Sequence, residues 1–164
     1  MIKAEQFPLL DHISSGILGI DSDANIVLWN ERMEFWTGKS RDELIGQNLF
    51  QAFPETAANA FKIRIEQVLG GGAPVIFSAQ LHHHLIACPL PDGSFRTQLV
   101  TVTWLEQQQV ALFSIQDLTE QAKLVEQYKT TAHELQSELD QRRIVEKEKL
   151  QLATAIDQAG EAVV

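Results

Sequence analysis

The chain has 164 residues, 45% hydrophobic and 21% charged, enough for one packed domain with additional segments. Its formal net charge of −9 excludes the basic footprint of a nucleic-acid-binding surface and argues against an anionic membrane as partner. A single cysteine, Cys88, excludes an internal disulfide, and no apolar run approaches the ~20 residues of a membrane span. With no apolar signal-peptide core at the N-terminus, we expect a cytoplasmic chain with no membrane segment.

In chain order, residues 2–14 are predicted to form a short helical cap with a break near Pro8. Residues 16–21 and 26–29 are apolar runs joined by the turn-forming Asp21-Ser22-Asp23-Ala24-Asn25, a hairpin pattern. Asn30 is placed to cap a helix over 31–37 that ends at Gly38, and Ser40 with Glu43 has capping-box spacing for a second short helix that stops at Gly46. Residues 55–69 have helical spacing, with Ala57, Phe61, Ile65 and Val68 on one face, and Gly70-Gly71-Gly72 terminates them. That glycine run follows a helix instead of opening one, so it does not fit a phosphate-cradling loop. Residues 75–87 are predicted as one long strand, 89–93 as a turn with Asp92-Gly93 at its tip, 95–105 as a strand and 110–116 as the last strand. The order is two strands, several short helices, then three strands: an α+β antiparallel sheet with helices on one face.

From Leu118 onward the pattern changes to a long polar helix with no Gly or Pro before Gly160. Asp117 and Thr119 stand at the change, and both are residue types that cap helix N-termini. One 3-4 register along the helix takes Leu124, Tyr128, Thr131, Leu135, Glu138, Arg142, Val145, Lys149, Leu152 and Ile156; a second takes Val125, Tyr128, Ala132, Leu135, Leu139 and Arg142. A solitary helix this polar buries too little to be stable, so a parallel coiled-coil dimer is expected, with Leu124, Tyr128, Leu135, Leu139 and Val145 in its seam.

Taken together, Gly16-Ile17 through Asp21 with Asn25-Ile26-Val27, then Trp29-Asn30, Trp36-Thr37-Gly38, Glu43-Leu44-Ile45-Gly46, Pro91-Asp92-Gly93-Ser94 and Asp117-Leu118-Thr119 resemble the PAS domain family. The resemblance covers residues 7–120 and implies a five-stranded antiparallel sheet whose helices close a small central pocket. It also implies that Asp117-Leu118-Thr119, similar to the family's Asp-Ile-Thr end motif, relays a signal from the last strand into an output helix. Residues 150–164 resemble the entry to a second PAS domain. The expected division is an N-terminal helical cap at 1–14, the PAS domain at 15–119, a linker helix at 120–156 and the start of a second PAS domain at 157–164.

Candidate pocket residues are Trp36, Phe50, Phe53, Phe61, Ile65 and Trp104, with Phe35 from the helices and Leu28, Phe77, Leu81 and Phe113 from the sheet facing them. Large aromatics of this kind pack a core as readily as they line a ligand site. On a strand, His82 and His84 would share one face with Cys88, a weak pattern for a metal or haem ligand. The pocket helices lack the cysteine of flavin-bonding photosensors, which leaves the cofactor unassigned. His133-Glu134-Leu135 lacks the residues that follow a phospho-acceptor histidine in kinases. No nucleophile–base pair or paired carboxylates stand out, so no catalysis is expected within the chain. The expected function is a sensory or regulatory module of a histidine kinase or a diguanylate cyclase/phosphodiesterase. It would dimerise through the N-terminal cap and the helix, with downstream PAS and effector domains as partners and a small-molecule ligand as a candidate. A ligand-free dimerisation and spacer module, or a haem or metal redox sensor using His82–His84, are the alternatives.

Overall fold

The computed structural model describes residues 7–161. The chain divides into two units, one ending at Glu120 and the other beginning at Gln121, and each is described by itself.

The first unit runs α1 (Phe7–Asp11), β1 (Gly16–Ile20), β2 (Ile26–Trp29), α2 (Glu31–Thr37), α3 (Arg41–Leu44), α4 (Leu49–Ala52), a 3-10 turn (Pro54–Ala57), α5 (Asn59–Leu69), β3 (Val75–Phe77), α6 (Ala79–His82), β4 (Gln98–Leu105) and β5 (Val110–Asp117). The strands form one five-stranded antiparallel sheet in the order β2-β1-β5-β4-β3. The chain therefore enters on an interior strand beside one edge, moves to that edge, leaves to build the helices, and returns from the opposite edge to end on the central strand. The end of β5 lies beside the start of β4, with Asp117 opposite Gln98. Along β4, Val100 and Val102 are buried while Leu99, Thr101 and Thr103 on the other face are half-buried, the alternation of a sheet with one face on the core.

The local signals account for the helices. Asn30 caps α2 by accepting from Met33 N–H, and Gly38 ends it with φ 71°, a left-handed conformation that glycine adopts without strain. Ser40 caps α3 in the same way through Glu43 N–H. α3 ends at Leu44, two residues before Gly46.

Two predicted elements are different in the structure. The helix expected over 55–69 is two pieces, because Pro54 opens a 3-10 turn and Ala58 is extended at φ −56°, ψ 136° before α5 begins. The strand expected over 75–87 stops at Phe77 and gives way to α6 and a loop. Leu85, Ile86 and Cys88 are buried in that loop, which explains their apolar character. Their backbone is paired by side chains: Gln98 Oε1 accepts from Leu85 and Ile86 N–H, Gln98 Nε2 donates to Ile86 O, and Glu55 accepts from Ala87 N–H. A buried glutamine thus does what a neighbouring strand would do. β4 correspondingly begins at Gln98, and Phe95 makes only an isolated bridge to Pro89.

Of the N-terminal cap expected at 1–14, α1 covers Phe7–Asp11 and residues 1–6 lie outside the described residues. α7 (Thr119–Glu161) is one continuous helix of 43 residues with no break at 156; residues 162–164, at the end of the expected second PAS segment, lie outside the described residues. No helix among the described residues is long and apolar enough to cross a membrane.

Candidate functional site

The most highly connected polar site lies where β5 hands over to α7. The β4–β5 ladder continues one step past the strands, with Leu118 N–H donating to Thr97 O at 2.8 Å. In the next step a side chain replaces a carbonyl: Thr97 N–H donates to Thr119 Oγ1 at 3.0 Å. The Thr119 hydroxyl in turn donates to Asp117 Oδ1 at 2.5 Å, and the same oxygen accepts from Thr119 N–H at 2.9 Å. Asp117 Oδ2 takes a hydrogen bond and ion pair from Arg96 Nη1 at 2.5 Å. Arg96 lies over the Trp36 ring at 5.4 Å, and its Nε is buried without a hydrogen-bond partner among the described residues. Of the two expected caps, Asp117 binds the first N–H of α7, whereas Thr119 turns its hydroxyl back to β4. The first residue of α7 is thereby fastened to both neighbouring strand ends, by the Asp117 carboxylate of β5 and by the Thr97 backbone N–H just before β4.

Burial opposes ionisation of Asp117, but the Thr119 hydroxyl and N–H and the Arg96 guanidinium outweigh it and hold its carboxyl below the ordinary carboxylate range. A lowered folded-state value contributes stability that is fully present above the unfolded pKa, about 4, and is lost as pH falls through the folded value. The stability advantage of the native chain over Asp117→Asn is therefore expected to shrink as pH drops below about 4. Urea denaturation at stepped pH measures this; a constant difference down to acid unfolding would contradict it. Beside this site, burial pushes the Cys88 thiol up to about 12 against the pull of Arg96, so Cys88 is an inert core thiol at neutral pH.

The expected pocket residues occupy two kinds of place. Trp36, Phe53 and Ile65 are buried in the core, and Phe50, Phe61 and Trp104 are half-buried against it. Phe53 stacks on Trp29 at 5.5 Å between centroids, and Phe61 meets Phe77 edge-on at 5.5 Å. Leu28, Phe77 and Phe113 are core residues as expected. Phe35 on α2 and Leu81 on α6 are instead exposed and face away from the core; Leu81 left the sheet when its segment became helix. A surface cleft of about 430 Å³ lies between the 22–24 turn and α5, lined by residues including Asn48, Phe50, Gln51, Lys62 and Glu66. Only Phe50 of the expected residues borders it. No periodicity marks such a cleft, because its walls come from a turn and two unrelated helices.

The histidine pattern does not survive the loss of the strand. His82 ends α6, with its ring against Phe61 and Phe77 at 5.4 and 5.6 Å and Nδ1 by Ser78 O at 3.3 Å. His83 takes φ 55°, and the His84 ring packs on Phe95 at 4.9 Å. The alternation that would align His82 with His84 is therefore absent. Among the described residues, no group of three or more His, Cys, Asp or Glu is placed to hold a metal ion.

A family model described as PAS fold matches residues 10–123. The chain belongs to the PAS family. Solved PAS structures share the fold. The PAS domain of the Cronobacter turicensis RpfR quorum-sensing receptor, in complex with BDSF, is 24% identical with TM-score 0.51, over 66% of this chain and 97% of that one. A sensory box sensor histidine kinase from Vibrio cholerae is 23% identical with TM-score 0.52, over 68% and 88%. The photoactive yellow protein domain of the sensor histidine kinase Ppr from Rhodospirillum centenum is 17% identical with TM-score 0.56, over 71% and 100%. No curated protein matches the chain. The observed sheet order, the helices on one face and the helix following the Asp117-Leu118-Thr119 end motif are those of a PAS domain with a C-terminal helix.

Proposed function

We propose that this PAS domain is the sensory or regulatory module of a multidomain signal-transduction protein, of the histidine kinase or diguanylate cyclase/phosphodiesterase type. It works in the cytoplasm as a homodimer, through the N-terminal cap and α7, and passes a conformational bias through Asp117-Leu118-Thr119 into a coiled coil. A second PAS domain and an effector enzyme lie downstream, and the chain itself does no catalysis. The observation that carries this reading is the fastening of Thr119 to Thr97 and to Asp117, which Arg96 in turn holds: these bonds link the start of β4 to the first residue of α7. The exposed apolar residues of α7, including Leu124, Tyr128, Leu135, Leu139 and Val145, support the dimer.

In the parent protein, Asp117→Ala with Thr119→Ala is expected to leave an output that no longer responds to the input, read as effector activity with and without stimulus. Unchanged regulation in the double variant would overturn the relay.

A second reading, a ligand-free dimerisation and spacer module, draws on the core places of Trp36, Phe53 and Ile65, which large side chains fill. Native mass spectrometry and absorbance of the purified protein separate the two. A retained small molecule or chromophore, as the RpfR domain holds BDSF, favours the sensor; a clean apoprotein favours the spacer.

A further inference from the structure

We infer that α7 pairs with a second copy of this chain, parallel and in register, along a seam that changes heptad register at Arg142. The inference rests on the dimeric reading above and specifies its interface. Up to Arg142 the better stripe is Val125, Tyr128, Ala132, Leu135 and Leu139. The competing register over the same span puts Thr131 and Glu138 in the seam. Beyond Arg142 the preference reverses. Val145 and Leu152 follow the other register, where prolonging the first would put Glu146 and Ala153; Lys149 and Ile156 belong to both.

The two half-seams share Arg142 but are out of phase, so Leu139, Arg142 and Val145 are spaced three residues apart and three again, where a heptad alternates three and four. Such a step amounts to a three-residue insertion in the heptad pattern, and it overwinds a left-handed supercoil locally. All of Val125, Tyr128, Leu135, Leu139, Val145, Leu152 and Ile156 are 45–68% exposed on α7, so each half-seam is open to a partner.

The occupant is a second copy on grounds of complementarity. In the N-terminal half Glu138 flanks the seam one turn before Arg142 and is opposite to it in charge. Arg142 brings its own counter-charge, with Nη2 at 2.8 Å from Glu138 Oε1 one turn earlier, so two copies of Arg142 meet with their charges balanced. A polar layer of this kind inside an apolar seam fixes alignment at some cost in stability.

The test is disulfide cross-linking of single-cysteine variants of the whole chain, after sedimentation equilibrium has established its association state. The unsubstituted chain, whose Cys88 is buried, is the blank. Leu139→Cys and Val145→Cys are both expected to cross-link about tenfold faster than Glu138→Cys and Glu146→Cys, because a disulfide needs Cβ atoms about 4 Å apart and only seam positions supply that. Fast pairs at 138 and 145, or at 139 and 146, would mean one continuous register and overturn the shift while leaving the dimer standing. Val125→Cys is expected to link to itself; linking only to Ile156→Cys would show an antiparallel pair and overturn the parallel arrangement. A monomer at every concentration would overturn the dimer itself. Inserting four alanines between Arg142 and Arg143 completes the heptad, restores the alternating spacing and is expected to tighten the dimer about tenfold; a weaker dimer would contradict the overwound step.

Discussion

Replacing Asn30 by alanine is expected to cost the PAS unit about 3 kcal/mol. Asn30 is fully buried and uses its whole amide. Its Oδ1 accepts from Ile17 N–H on β1 at 2.9 Å and from Met33 N–H on α2 at 3.2 Å. Its Nδ2 donates to Leu10 O of α1 at 3.0 Å and to Ser15 O at 3.1 Å. Alanine removes the α2 cap and takes a partner from two N–H groups and two carbonyls; Met33 N–H keeps Asn30 O and Leu10 O keeps Ile13 N–H, whereas Ile17 N–H and Ser15 O lose the bond that Asn30 gave them. Asn30→Asp keeps the acceptor but sets a carboxylate against both carbonyls, so it is expected to rescue only part of the loss. Urea denaturation followed by tryptophan fluorescence measures both, and a loss below about 1 kcal/mol in the alanine variant would contradict the role given to this amide.

The second large effect is at the handover to α7. Asp117→Ala is expected to cost about 2 kcal/mol: it removes the helix cap, about 1 kcal/mol, and strips a partly buried guanidinium of its counter-ion. The figure stays below that for a fully buried pair because Asp117 is 25% exposed and Arg96 18%. Arg96 would then lose the ion pair with Asp117. Thr119→Ala alone frees Thr97 N–H and is expected to cost less. The double variant should cost less than the sum of the two, because the Asp117–Thr119 hydrogen bonds are shared between them. Additive losses on urea denaturation would show that the two residues act separately.

Much of the fold is legible along the chain because its signals are local. Asn30 and Gly38 bracket α2, Ser40 opens α3, and β4 alternates cleanly, since each depends on residues within a turn or a pleat of one another. Residues 78–97 are not legible for the opposite reason. Leu85, Ile86 and Cys88 look like a strand because they are buried, but their hydrogen bonds go to Gln98 and Glu55, residues that are distant in sequence and carry no pattern. The same holds at the site. Asp117 and Thr119 were visible as capping types; Arg96, Thr97 and Trp36 were not, because only the pairing of β4 with β5 brings them there. The one available signal was the position of Arg96 just before the β4 alternation begins, too common an arrangement to single it out.

The central claim, that the sheet and a dimerising α7 are mechanically one system through Thr119, has a direct measurement. All three tryptophans, Trp29, Trp36 and Trp104, lie in the PAS unit and none in α7, so their fluorescence reports unfolding of that unit alone. If α7 dimerises and is coupled to the sheet, association stabilises the PAS unit by mass action. The fluorescence midpoint in urea should then rise with chain concentration in the native protein and lose that dependence in the Asp117→Ala, Thr119→Ala variant. A native midpoint that stays constant across a wide range of concentration would contradict the coupling.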